Sequence, residues 1–134
     1  MKTFATHLEI NIAPQNTSFY KDLFDFLGWK VLYEGEGMLG VGGSNEVSLW
    51  LASRANDAKN DYDGPGVNHI GIGAPTIADV DATVDYLKAI GVPALFETPR
   101  HRPEFSSSPE KTYYQVMFES PDRILFEVVY TGTK

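Results

Sequence analysis

Two histidines occupy matching places in two similar stretches of this chain. The first stretch reads His7-Leu8-Glu9-Ile10-Asn11-Ile12, passes through a helix-like run and closes on Leu27-Gly28-Trp29. The second reads His69-Ile70-Gly71-Ile72-Gly73, passes through another helix-like run and closes on Ile90-Gly91-Val92. The interval between the histidines nearly equals that between Gly28 and Gly91, so a strand–helix unit is duplicated with one imidazole at the same point of each copy. Two imidazoles that meet usually meet on a metal ion. A carboxylate completes the set. In the final strand, Leu125, Glu127 and Val129 share one face, which puts Glu127 among apolar neighbours where it requires a cation. The chain has 11 Lys and Arg, none of them in the strands that carry His7 and His69. Two histidines and one carboxylate form a facial triad with open positions, suited to Fe(II) and open also to Mn(II), Zn(II) or Ni(II). The plainer alternatives are an ion pair with Lys or Arg, or an edge strand that leaves the carboxylate wet.

Further groups could serve a substrate. Asn11 shares the polar face of the first strand with His7 and Glu9, a composition suited to a cavity wall. Gly71 and Gly73 follow His69 on its own face and leave room above a metal, or simply allow close packing with a neighbouring strand. Trp50 is either a stacking wall for an aromatic ligand or core. Of Tyr113 and Tyr114 only one can point inward, to orient or protonate a substrate. Arg100, His101 and Arg102 lie on an expected long loop, Thr98 to Lys111, which either closes over an anionic substrate group or is merely solvated.

The elements that must position these groups are readable from periodicity. Leu8, Ile10 and Ile12 alternate with polar residues, which predicts a strand. Pro14 and Asn16-Thr17 open a helix carrying Phe19, Tyr20, Leu23, Phe26 and Leu27 on one stripe, and Gly28 stops it. Strands are expected at 29–33, 38–41 and 47–52. The polar segment 54–65 reads as a linker. The pattern restarts with a strand at 67–73 and a helix capped by Thr76 with Asp79, bearing Ile77, Val80, Val84 and Leu87 and ended by Gly91. Strands at 94–97, 112–118 and 124–130 follow. The expectation is one α+β domain over residues 1–134, made of two βαβββ modules at about 5–53 and 66–131. They would form a curved, mainly antiparallel sheet around a concave site, with the helices on the outer face.

Composition narrows the function. A net charge of −7 argues against nucleic acid and anionic membranes, and tolerates a cationic ligand. The absence of cysteine excludes disulfides, thiolate metal sites and cysteine nucleophiles. The N-terminal residues lack the apolar run of a leader, and no segment is long and apolar enough to span a bilayer, so a cytoplasmic location is expected.

The chain resembles the vicinal oxygen chelate superfamily, which contains glyoxalase I, extradiol dioxygenases, fosfomycin-resistance enzymes and bleomycin-resistance proteins. The likeness is carried by His7, by Ser18-Phe19-Tyr20 with Leu27-Gly28-Trp29, by Asn68-His69-Ile70-Gly71, and above all by Phe118-Glu119-Ser120-Pro121-Asp122-Arg123-Ile124-Leu125-Phe126-Glu127. It implies metal ligands at His7, His69 and Glu127, one divalent ion, a small-molecule substrate and a homodimer whose sites are sometimes shared between chains. Two positions depart from the family. Arg123 stands where the final turn usually has Gly. The stretch Ser48-Leu49-Trp50-Leu51 has Trp50 where glyoxalase I carries a fourth, acidic ligand that also shuttles the proton. The expected function is therefore a metalloenzyme of lyase, isomerase or dioxygenase type on a small oxygen-chelating substrate, and not true glyoxalase I. Tyr113, Tyr114 and His101 are its candidate catalytic groups; Trp50, Asn11 and Arg100 its candidate substrate contacts. The alternatives are a metal-free acidic protein that sequesters a cationic drug such as bleomycin, and a member that keeps the triad without activity.

Overall fold

Each copy of the duplicated pattern folds in the order β-α-β-β-β. The computed structural model describes residues 1–134 and divides into two units, Met1–Lys59 and Asn60–Lys134. In the first, β1 (His7–Asn11), α1 (Thr17–Phe26), β2 (Lys30–Gly35), β3 (Met38–Gly42) and β4 (Ser48–Ala52) give a four-stranded sheet ordered β1-β4-β3-β2. In the second, β5 (Ile70–Gly73), α2 (Ile77–Ala89), β6 (Leu95–His101), β7 (Tyr114–Glu119) and β8 (Leu125–Tyr130) give a sheet ordered β5-β8-β7-β6. β1 pairs parallel with β4, and β5 with β8; the other pairings are antiparallel. This mixture follows from the connections. A helical crossover starts the second strand in the direction of the first, and two hairpins then reverse the chain twice. The architecture is α+β, with two mainly antiparallel mixed sheets.

Both helices end in the same way. Gly28 N–H donates to Asp25 O and Trp29 N–H to Phe24 O; Gly91 N–H donates to Lys88 O and Val92 N–H to Leu87 O. Gly28 and Gly91 sit at φ +79° and +76°, the left-handed conformation this double hydrogen bond requires and glycine adopts without strain. At the start of α2, Thr76 Oγ1 accepts from Asp79 N–H at 3.1 Å, so the expected cap forms. At α1 it does not. A 3-10 turn at Pro14–Asn16 runs straight into the helix, and Asn16 makes no side-chain cap.

In the first unit α1 packs on β2 and β3, burying Tyr20, Leu23 and Phe24 together with Leu39, Val41, Leu49 and Leu51. In the second, α2 packs on β6, β7 and β8, burying Val80, Val84 and Leu87 with Val116, Phe118, Phe126 and Val128. Phe118 and Phe126 are register partners whose rings stack 5.7 Å apart. Each such buried side chain contributes roughly 1.5–3 kcal/mol relative to exposure. Alternation then turns Gln115, Met117, Leu125 and Glu127 to the face of this sheet away from α2.

Two boundaries differ from expectation. His69 lies one residue before β5 rather than inside it. The stretch 98–111 is not all loop. β6 continues to His101, with Arg100 opposite Gln115 and His101 opposite Tyr114, so Arg100 and His101 are strand residues. A bulge between Leu95 and Arg100 absorbs Pro99, which cannot donate to the ladder. Phe96 and Glu97 take left-handed φ of 56° and 59° there. Thr98 ties the bulge down by donating to Leu95 O and accepting from Met117 N–H.

Candidate active site

The helix-free face of the second sheet carries a cavity of about 330 Å³ with Glu127 in its wall. Glu127 is 2 % exposed, in the middle of β8 and opposite Gly71 of β5. Its carboxylate has two partners: Tyr113 donates its hydroxyl to Oε1 at 2.6 Å, and His69 Nε2 stands 3.1 Å from Oε2. A Cβ added at Gly71 would lie 3.6 Å from Oε2, in ordinary contact, and one at Gly73 would meet nothing. Burial, followed by the hydrogen bond to Glu127, pushes the Tyr113 phenol well above its ordinary range and keeps it a donor.

Asn68 sets the orientation of His69. Its Nδ2 donates to Tyr62 O at 2.9 Å, which turns its Oδ1 toward His69 Nδ1 at 2.8 Å. Nδ1 therefore carries the proton in that bond, and Nε2 faces Glu127. His7 is handled alike in the first unit, where the preceding residue, Thr6, meets its Nδ1 at 2.9 Å. The duplication thus extends to the residue before each histidine.

The rim is aromatic and basic. Arg102 bonds Glu104 at 2.6 Å and lies 4.9 Å over the Phe105 ring; Phe105 meets Tyr113 edge-on at 5.5 Å. The carboxyl of Glu104 is held below its usual range, first by its own backbone N–H and then by Arg102. The bulge in β6 delivers Phe96 to the same cavity. On another side Tyr62 donates to Glu119, which raises its pKa, and the Arg123 guanidinium lies 5.6 Å over the Tyr62 ring. Arg123 adopts φ 57°, a left-handed backbone that glycine would take without strain.

Of the residues singled out from sequence, His69, Tyr113 and Glu127 come together. Tyr114 points the other way, donating to Asp81 of α2 at 2.7 Å; burial and that bond push its pKa up to about 12. The His101 ring lies tilted against Tyr114 at 4.7 Å on that same helix side and does not line the Glu127 cavity. Arg100 pairs with Glu97 at 3.0 Å outside it. In the first unit Trp50 donates its indole N–H to Ser48 and lies over Gly40, where a Cβ would come within 2.6 Å of the ring. Asn11 ends β1, exposed. Within neither unit do three His, Cys, Asp or Glu side chains gather as a metal-holding cluster. Sequence reading missed Phe96, Phe105 and Asn68 as site residues, together with Gln115 and Met117. The last two were within reach, since they follow Tyr113 at every second residue into β7. Phe96 was not, because only the bulge turns it inward.

The chain belongs to the Glyoxalase/Bleomycin resistance protein/Dioxygenase superfamily, whose family model matches residues 10–128. Among solved structures it is similar to a candidate glyoxalase from Bacillus halodurans (24% identity, 94% of each chain covered, TM-score 0.77). It is also similar to a genomically encoded fosfomycin resistance protein from Listeria monocytogenes (18% identity, 97% of this chain and 94% of that one, TM-score 0.66). A lactoylglutathione lyase from Agrobacterium tumefaciens shares the fold as well (16% identity, 96% and 94%, TM-score 0.63). No curated protein matches the sequence. No helix is long and apolar enough to cross a membrane.

Proposed function

We propose that this chain is a divalent-metal-dependent enzyme of its superfamily, acting on a small substrate that offers two adjacent oxygens. The supporting observation is the buried Glu127 carboxylate with Oε2 3.1 Å from His69 Nε2. An imidazole nitrogen and a carboxylate oxygen so placed share a proton or a cation. Adjacent ligands on one ion, with bonds of about 2.1 Å at right angles, stand about 3 Å apart. Two of the three expected donors therefore fit a metal. The third ligand is assigned to His7 on the sequence duplication and on its matching Nδ1 partner.

A divalent ion held by His69 and Glu127, with His7 as third ligand, would supply Lewis acidity or, as iron, redox chemistry. The chain's own groups do the rest. Tyr113 holds Oε1 and so leaves one carboxylate oxygen to a ligand. Phe96 and Phe105 give the cavity apolar surface on one side, and Arg102 offers a guanidinium to an anionic substituent. Glyoxalase I chemistry is not proposed, because Trp50 occupies the place of its acidic proton shuttle. The chemistry left is lyase, isomerase or dioxygenase in type.

One observation favours the metal-free drug-sequestering alternative: both Glu127 oxygens already have partners within the chain. Thermal melting separates the two readings. After treatment with a chelator, one of Fe(II), Mn(II), Zn(II) or Ni(II) should raise the melting temperature through binding to the native state. Indifference to all four, with a rise on adding bleomycin, would establish the sequestering protein instead.

A further inference from the structure

We propose that the second unit carries a separate site, on the helix side of its sheet, for a small organic anion with an apolar body. A cleft of about 820 Å³ lies there, larger than the Glu127 cavity and within the usual 300–1,000 Å³ range of ligand pockets. Ile77, Pro103 and Pro109 give it apolar walls, and the run Ser106-Ser107-Ser108 adds hydroxyls. The ionisable side chains that line it are His101, Lys111 and Lys134, with no Asp or Glu among them, on a chain of net charge −7. That concentration of positive charge beside apolar surface complements a carboxylate, sulfonate or phosphate on a hydrophobic frame.

The basic wall is fixed by backbone pairing. Lys111 bridges Thr133, Thr112 N–H donates to Gly132 O at 2.9 Å, and Lys134 N–H donates to Glu110 O at 3.1 Å. Thr112, 3 % exposed, meets His101 Nδ1 at 2.5 Å and so leaves Nε2 without a bond to Thr112. The cleft is distinct from the Glu127 cavity yet adjoins it through one short segment. His101 and Pro103 line the cleft, while Arg102 and Phe105 line the cavity on the other side.

The test uses 8-anilinonaphthalene-1-sulfonate and its uncharged relative N-phenyl-1-naphthylamine as fluorescent probes of the whole chain. One saturable sulfonate site per chain is expected, weakening as salt is raised. The double reversal Lys111→Glu with Lys134→Glu, both at exposed positions, should weaken the sulfonate at least tenfold and leave the uncharged probe unchanged. Ser107→Trp, which fills the cleft from an exposed position, should remove both, whereas Phe105→Ala in the other cavity should remove neither. Circular dichroism verifies that each variant is folded. Saturable binding that survives both Ser107→Trp and the double reversal would overturn the proposal, as would no binding to the folded parent. A dimer that Ser107→Trp dissociates, with no probe bound by the parent, would overturn it in favour of a second copy as the occupant.

Discussion

Trp50 and Glu127 hold the same station in the two sheets. Each lies on the strand that pairs parallel with its unit's first strand, opposite the residue two places after the histidine: Glu9 faces Trp50 and Gly71 faces Glu127. One copy of the duplicated fold fills that station with a ring spread over a neighbouring glycine, Gly40. The other fills it with a buried carboxylate, bonded by Tyr113 and His69, whose facing glycine, Gly71, leaves it uncrowded. The histidines keep their shared treatment, each with Nδ1 bonded by the preceding residue. The backbone of the duplication has thus been retained while its polar duty has become asymmetric. The first unit has an exposed imidazole, and the second has an imidazole, a carboxylate and a cavity.

The contrast can be sharpened by substitution. The largest effect is expected from Tyr113→Phe, which leaves Oε1 of a buried carboxylate without its donor and should cost about 1.5–3 kcal/mol in chemical denaturation. The glycines beside the two stations should behave oppositely. Gly40→Ala drives a methyl into the Trp50 ring and should destabilise by about 1–3 kcal/mol, whereas Gly71→Ala should stay within about 0.5 kcal/mol of the parent. Equal costs at Gly40 and Gly71 would break the comparison.

The hairpins that lead into the two last strands are alike again. Glu46 and Arg123 each stand two residues before the strand at φ 67° and 57°. Glu46→Gly should stabilise by about 0.5–1 kcal/mol in urea, and Arg123→Gly by less, because it also loses its stacking on Tyr62.

The smallest effect is confined to alkaline pH. The Tyr114 phenol is raised above its unfolded value of 10.0 to about 12, so its neutral form is favoured in the folded chain. The stability this gives is complete below pH 10 and is lost as pH rises through about 12. Tyr114→Phe should therefore flatten the fall of melting temperature across that window, and an unchanged slope would count against the Asp81 bond as its source.

Much of this was legible in the residues. Thr76 with Asp79, and Gly28 and Gly91, marked helix ends through local hydrogen bonding that depends on a few neighbours. Alternation in β8 placed Glu127 on a common face with Leu125 before any contact was known. The rest depended on partners distant in sequence. Periodicity allowed Tyr113 or Tyr114 to face the site; the choice was made by Glu127 on one side and Asp81 of α2 on the other. The extension of β6 to His101 was hidden by Pro99, which reads as a breaker until a bulge absorbs it. Phe96 and Glu97 gave no signal, because left-handed backbone in residues other than glycine is set by the surrounding ladder rather than by their own preference.

The central proposal is that His7, His69 and Glu127 are ligands of a divalent ion. Calorimetric titration of the chelator-treated chain with Fe(II), Mn(II), Zn(II) and Ni(II), beside Glu127→Ala and His7→Ala, tests it most directly. The account predicts one ion per parent chain and its loss in both variants, the exposed His7 counting as fully as the buried Glu127. An ion bound with unchanged affinity in either variant would contradict it.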